Sequence, residues 1–170
     1  MERGTFFNII LLIILILAQV LICNHIHLFN IAVPFIFIYV IVRLPLSLST
    51  TSLLTWGFLA GFIVDIFSDT PGVNALACTL LAGSRNFIFY LYIPKDDRTQ
   101  DVQPSIANLG FAVYAKYLIT LCLFYCLAVF FIEYLSFYYV KEILECGLSS
   151  ALLTFLLLLG IDSLMRSKKD

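Results

Sequence analysis

The sequence predicts an all-α polytopic membrane protein, with six transmembrane helices in one bundle. Hydrophobic residues make up 62% of the 170 residues and charged residues 12%, whereas soluble domains run near half apolar and a quarter charged. The apolar residues are gathered in runs of about the 20 residues that a helix needs to cross a bilayer. A membrane protein is therefore indicated rather than a soluble domain.

The chain divides into six apolar runs within a single domain, 1–170. The predicted spans lie at 5–23, 28–42, 51–67, 73–93, 108–133 and 143–164. The second span is short and contains Pro34, so it is either kinked or part of a cavity lining. Thr70-Pro71-Gly72 suits a tight turn, because Pro fixes φ and Gly accepts φ > 0. Spans three and four are thus expected to form an antiparallel hairpin.

The positions of Lys and Arg predict the orientation. With a cytoplasmic N-terminus and six crossings, one residue (Lys141) lies outside and seven lie inside: Arg3, Arg43, Lys95, Arg98, Arg166, Lys168 and Lys169. Cytoplasmic loops carry the excess of Lys and Arg. Both termini are therefore predicted to be cytoplasmic.

The third span carries Gly57, Gly61, Asp65 and Asp69 at four-residue steps, which form one slowly drifting stripe on a helix. An aspartate inside the membrane must face protein or water and is a candidate functional residue. For Asp65, a structural hydrogen bond and a functional contact both remain open, and we expect a polar cavity that opens outward. Asp69 adjoins the turn and is interpreted as a turn or capping residue.

Small residues provide two candidate surfaces for a partner helix. One is the Gly57–Gly61 face, and the other is the Gly147–Ala151 patch of the last span. Helices in membranes associate through van der Waals contact, which small residues favour. We expect one of these surfaces to receive a partner.

Arg85 and Lys116 are cations inside the predicted spans. Both lie roughly 12–14 Å from the inner boundary at 1.5 Å per residue. Their long side chains either extend to the cytoplasmic headgroups or form a basic pocket for a lipid phosphate.

The sequence gives little sign of catalysis. Asp65 and Asp69 share one helix, unlike the paired carboxylates of aspartic proteases, and Ser149 has no histidine nearby. His25 and His27 form only a weak metal signal, and a Cys23–Cys146 disulfide is conceivable. We expect no enzyme activity, no cofactor, no metal and no nucleic-acid partner.

The stretch from Gly57 to Ala75 resembles the rod shape-determining protein MreD family. It carries the pattern G-x3-G-x3-D-x2-S in Gly57, Gly61, Asp65 and Ser68, followed by a Gly-containing turn and a second helix with small residues. Length, six spans, tiny loops and a basic C-terminal end also agree with that family. The acidic residue at Asp69 is not general for the family.

The resemblance implies a non-enzymatic scaffold of bacterial cell elongation in the cytoplasmic membrane. Its implied partners are MreC, the elongation complex of MreB, RodZ, RodA and a class B penicillin-binding protein, and membrane lipid. The family is also similar in fold to the substrate-binding components of energy-coupling-factor vitamin importers. A vitamin-importer component is therefore the alternative function, although fold does not determine function.

Overall fold

The computed structural model describes residues 2–21, 32–93, 103–134 and 140–167, with side chains from Ile10 to Met165 within those ranges. Every long regular element in them is a helix. The helices are α1 Glu2–Leu21, α2 Ile38–Arg43, α3 Thr50–Ser68, α4 Val73–Tyr92, α5 Ile106–Leu109, α6 Phe111–Tyr134 and α7 Val140–Ser167. The all-α prediction is confirmed for the described residues.

Three of the described helices are long and apolar enough to cross a membrane. They are α3, α6 and the part of α7 from Val140 to Met165. Helix α1 contains a shorter apolar stretch, Ile10–Leu21. Helix α4 is 20 residues long and continues unbroken through the polar residues Ser84, Arg85 and Asn86. The helical positions of spans one, three, four and six thus agree with prediction to within a few residues.

Helix α3 pairs with α4, α6 pairs with α7, and α4 also packs against α6, whereas α1 lies beside α3 and α2. Helix α3 shows how the bundle separates inside from outside. Phe58, Phe62 and Ile66 form an exposed stripe, while Gly57 and Gly61 on the other face are buried. In hydrocarbon the large apolar side chains can face lipid, and small residues permit close helix packing.

The second predicted span, 28–42, is wrong as a helix. Residues 28–31 lie outside the described ranges, residues 32–37 are not helical, and α2 covers only Ile38–Arg43. Pro34 has no backbone N–H and disfavours a helical conformation at the preceding residue. The break is therefore larger than the kink that was one of the two expectations.

The fifth predicted span also differs at its start. Residues 108–110 do not belong to the long helix, because Gly110 has φ of 76° and separates the short α5 from α6. A glycine tolerates this conformation without steric cost. Residues 103–110, called the strap below, thus form a separate segment that packs on α6 and α7.

The centre of the bundle surrounds α2. Its residues from Ile38 to Val42 are at most 3% exposed. The ring of Tyr125 in α6 contacts two rings of the residues that precede α2, edge to face. Its centroid lies 5.3 Å from that of Phe35 and 6.0 Å from that of Phe37. Residues 32–43, called the broken second segment below, are therefore enclosed by the helices.

Candidate functional site

Asp65 is the most highly bonded side chain of the predicted site. It lies in the last turns of α3 and is 6% exposed. Its Oδ1 accepts hydrogen bonds from Thr70 Oγ1 at 2.7 Å and from both the backbone N and Nδ2 of Asn74 at 3.0 Å, and its Oδ2 accepts one from Ala75 N at 2.8 Å. Both carboxylate oxygens are thus occupied by the chain itself.

These bonds make Asp65 the N-terminal cap of α4, supplied from a different helix. The residue at the N-cap position is Gly72, which has no side chain that could accept a bond. Cap side chains normally accept from the second and third helical residues, which here are Asn74 and Ala75. The carboxylate also lies at the positive end of the α4 dipole. These contacts explain why a carboxylate is buried at this position: it stabilises the start of α4.

The outward-opening polar cavity expected at Asp65 stays a prediction. The groove that the described residues line on α3 is formed instead by Thr51, Ser52, Thr55, Trp56 and Leu59. That groove lies at the other end of α3 from Asp65. Of the two interpretations of Asp65, the structure supports the structural hydrogen bond.

Asn74 extends the Asp65 cap into α6. Its Oδ1 accepts a hydrogen bond from the hydroxyl of Tyr125 at 2.7 Å, and its Nδ2 donates to Thr70 Oγ1 at 3.1 Å. Asn74 is 5% exposed and Tyr125 is fully buried. The Tyr125–Asn74–Asp65 chain, hereafter the cap network, joins α6, α4 and α3.

Asp69 is a turn residue, as predicted. It ends α3 in the left-handed conformation with φ of 53°, and its backbone N–H bonds to the carbonyl oxygen of Asp65. Its side chain is exposed. Gly72 also has positive φ, 83°, so the Pro71-Gly72 turn has the predicted conformation. The structure does not bring the two carboxylates together on a common partner.

Gly57 and Gly61 contact α4, not a partner helix. A Cβ atom at Gly61 would lie 2.6 Å from the Cα of Ala75, and one at Gly57 would lie 2.8 Å from both the Cβ of Ala82 and the carbonyl oxygen of Cys78. The tight turn folds α4 back on α3 and occupies this face. The proposal that it receives a partner is therefore corrected.

The second small-residue patch is also occupied within the chain. A Cβ atom at Gly147 would lie 2.8 Å from Cδ2 of Leu127 in α6, and Ala151 is 1% exposed. Ser149 donates to the carbonyl oxygen of Glu145, one helical turn earlier. This patch therefore packs α7 on α6 and is not free for a partner helix.

Arg85 is fully buried, so its side chain does not extend to the surface of the protein. Its Nη1 donates to the carbonyl oxygen of Ile41 at 2.9 Å and its Nη2 to that of Pro45 at 3.3 Å. The last carbonyl groups of a helix have no partners within it and favour a nearby cation. Arg85 thus caps the C-terminus of α2. Lys116 is exposed, so the two cations do not form the basic pocket considered above.

Residues that the sequence reasoning missed hold the broken segment between α1 and α7. Gln19 of α1 donates from Nε2 to the carbonyl oxygen of Pro34 and accepts from the backbone N of Ile36, both at 2.9 Å. Ser150 and Thr154 of α7 accept from the backbone N of Val33 and Phe35 at 3.0 Å. Side chains thus replace the backbone hydrogen bonds that a helix would supply, because buried backbone N–H and C=O groups need partners.

At the other end of the broken segment, Tyr39 donates to Oδ1 of Asp162 at 2.7 Å and accepts from Arg43 Nη1 at 3.0 Å. Asp162 is 4% exposed. Gln19 and Asp162 are visible in the sequence as polar residues within the first and last apolar runs. They were not singled out because the sequence does not show which backbone groups lack partners.

Two of the predicted features concern residues outside the described ranges. Cys23, His25 and His27 lie there, so neither the Cys23–Cys146 bridge nor the weak metal signal is assigned a geometry. Among the described residues, no group of three or more His, Cys, Asp and Glu side chains is placed to hold a metal ion.

Comparison of the chain with protein-family models, with curated proteins and with solved structures gives no match.

Proposed function

We propose that the protein is a non-enzymatic membrane scaffold of bacterial cell elongation, which binds MreC and supports lateral peptidoglycan synthesis and rod shape. The proposal starts from the similarity of the Gly57–Ala75 stretch to the MreD family. The observation that carries it furthest is the use of this motif: Gly57 and Gly61 admit α4, and Asp65 caps it. A motif that builds a hairpin suits a protein whose role is to present a fixed surface.

The proposed topology has six crossings in the bacterial cytoplasmic membrane, with both termini in the cytoplasm. The broken second segment supports this topology although it is not a long helix. Its bonds to α7 advance in order, from Val33 with Ser150 through Phe35 with Thr154 to Tyr39 with Asp162. The twelve residue-to-residue steps of α7 from Ser150 to Asp162 rise about 18 Å at 1.5 Å per residue. The segment thus follows α7 in the same direction over much of a membrane thickness, as the second and sixth of six crossings must.

MreC and the other elongation proteins (MreB, RodZ, RodA and a class B penicillin-binding protein) are the proposed partners. Because both small-residue patches are filled by the chain's own helices, the proposed docking surface lies among the exposed apolar faces. The exposed stripes on α3 and α7 are the candidates; their members include Phe58, Phe62, Ile66, Leu148, Leu152 and Leu156.

The test is a pull-down of the tagged full chain in mild detergent, with mass spectrometry of bound proteins and small molecules. The wild type is expected to recover MreC. Two surface variants, Phe58→Ala/Phe62→Ala on α3 and Leu152→Ala/Leu156→Ala on α7, are matched because both truncate exposed apolar side chains. One of the two is expected to lower MreC recovery while both remain monodisperse. Absence of MreC and all elongation proteins from the wild-type sample would overturn the scaffold proposal.

The alternative is a substrate-binding component of a vitamin importer. One observation favours it, since broken helices at the midplane often line transporter binding sites. Here, however, the described segment from Pro34 to Val42 is buried by its neighbours. Recovery of an ATPase pair or a vitamin in the same pull-down would favour the importer.

A further inference from the structure

Arg43, the last residue of α2, is held against the end of α7. Its Nη1 donates to the hydroxyl of Tyr39 at 3.0 Å and to Sδ of Met165 at 2.7 Å. The guanidinium carbon also lies 5.8 Å from the centroid of the Tyr39 ring, within the range of a cation–π contact. Contacts on one side of the guanidinium therefore fix its position, while Arg43 is only half-buried.

These contacts leave the other edge of the Arg43 guanidinium open. Nε and Nη2 make no hydrogen bond with the described residues, and neither is among the described buried polar atoms that lack a partner. Both atoms are therefore accessible at the protein surface. An arginine edge that carries two parallel N–H groups matches two oxygens of a phosphate, which it binds through a pair of hydrogen bonds.

The charges at this end of the bundle favour an anion. Arg43 and the buried Arg85 both bond to groups at the end of α2. Among the described side chains, Asp162 supplies the carboxylate at this end, and its oxygens already accept from Tyr39 and from Ile106 of the strap. Two cations and one carboxylate leave a formal positive charge for a ligand to neutralise. The other described carboxylates belong to the last turns of α3 and α6 and the first turns of α7, at the opposite end: Asp65, Asp69, Glu133, Glu142 and Glu145.

The open edge of Arg43 lies at the depth of lipid headgroups. The part of α7 that is apolar enough to cross a membrane ends at Met165, the residue whose sulfur contacts Arg43. Three further basic residues follow in the sequence: Arg166, Lys168 and Lys169. Basic residues directly beside a membrane-spanning helix attract anionic lipids. The depth of the guanidinium and the charge of the adjoining sequence thus indicate the same kind of ligand.

We propose that Arg43 binds the phosphate group of an anionic phospholipid through Nε and Nη2. The Tyr39 hydroxyl donates to Asp162 and accepts from Arg43, so the buried carboxylate helps to orient the guanidinium. A side chain that is already held in its binding orientation loses less conformational entropy when the ligand binds. This site is separate from the Arg85 and Lys116 pocket considered from the sequence, and it does not depend on MreC.

Native mass spectrometry of the full chain in detergent tests the proposal by titration with phosphatidylglycerol and, separately, with zwitterionic phosphatidylcholine. The wild type is expected to bind phosphatidylglycerol more tightly. Arg43→Gln is expected to raise its Kd by at least about tenfold, the equivalent of a lost hydrogen bond to a charged group. Arg43→Lys keeps the charge without the two parallel N–H groups, so a smaller rise in Kd is expected.

Lys116→Gln is the matched control, because it removes an exposed cation from α6. It is expected to bind phosphatidylglycerol as the wild type does, and an equal loss in Lys116→Gln and Arg43→Gln would overturn the assignment to Arg43. Inorganic phosphate separates the two sources of a phosphate group. It is expected not to displace the lipid, and displacement would overturn a lipid as the ligand.

The proposal stays testable if Arg43→Gln does not fold. Equal affinity of the wild type for phosphatidylglycerol and phosphatidylcholine would overturn it without any variant. An Arg43→Lys variant that binds phosphatidylglycerol as tightly as the wild type would overturn the paired hydrogen bonds from Nε and Nη2.

Discussion

Asp65 and Asn74 are joined twice, since Oδ1 of the aspartate accepts at 3.0 Å from both the backbone N and the side-chain Nδ2 of the asparagine. The pair connects the end of one long helix to the start of the next, across the turn between them. The cost of burying the carboxylate is offset because it caps α4, whose own N-cap residue is a glycine.

Replacement of Asp65 by Leu is expected to destabilise the hairpin strongly. It leaves the N–H groups of Asn74 and Ala75 buried without partners, at a cost of about 1–3 kcal/mol for each group. Thermal unfolding in detergent, followed by the loss of monodisperse protein on size-exclusion chromatography, measures the effect. Asp69→Asn is the control, because Asp69 is exposed and Asn also tolerates the left-handed conformation. An Asp65→Leu variant as stable as Asp69→Asn would contradict the cap.

A methyl group at Gly61 is expected to separate α3 from α4. The nearest atoms to its Cβ belong to the backbone of Asn74 and Ala75, which cannot move aside as a flexible side chain can. Gly61→Ala should therefore lower the yield of folded protein. The control is Gly160→Ala in α7, where no atom lies within 4 Å of the new Cβ. This control is expected to gain up to about 1 kcal/mol from helix propensity. Equal behaviour of the two variants would argue against close packing at Gly61.

Thr154→Val is expected to destabilise the broken second segment. The two side chains have nearly the same shape, but the valine cannot accept the hydrogen bond from Phe35 N, which is 3.0 Å long in the wild type. The cost of the unsatisfied N–H is about 1–3 kcal/mol. Thr55→Val is the matched control, because the hydroxyl of Thr55 is exposed and bonds only one turn back, to Thr51. Chemical unfolding in mixed micelles compares the free energies of unfolding of the two variants. A Thr154→Val variant that is as stable as Thr55→Val would refute the assignment.

Arg85→Ala is expected to loosen the C-terminal end of α2. The substitution removes the donors to the carbonyl oxygens of Ile41 and Pro45, and the lost bonds to a charged group are worth about 1.5–3 kcal/mol each. Amide hydrogen exchange in a peptide that covers α2, Ile38–Arg43, should accelerate. Lys116→Ala removes an exposed cation and should leave that peptide unchanged. Acceleration in both variants would instead indicate a general effect of charge.

The helices were predictable because their signal is local. The apolar runs place α1, α3, α4 and α7 to within a few residues of their observed bounds. Asp69 and Gly72 were also predictable, because turn conformations depend on adjacent residues. The break at Pro34 was visible, but its extent was not.

The partners of the polar side chains were not predictable. Gln19, Thr154 and Asp162 bond to backbone groups 17, 119 and 56 residues away, and such pairings follow from the packing of helices that are distant in the chain. For the same reason the glycine faces were assigned to a partner helix. Nothing in the sequence separates a small-residue stripe that fits a partner from one that fits the next helix.

The sequence by itself determined that the chain is apolar, helical and folded around a tight Pro71-Gly72 turn, because composition, periodicity and turn chemistry act over a few residues. Only the tertiary structure decided what the buried polar groups do. In hydrocarbon every polar group must find a partner within the protein. Which partner it finds is set by the arrangement of the whole bundle: Asp65 caps α4, Arg85 caps α2, and Asp162 holds the strap.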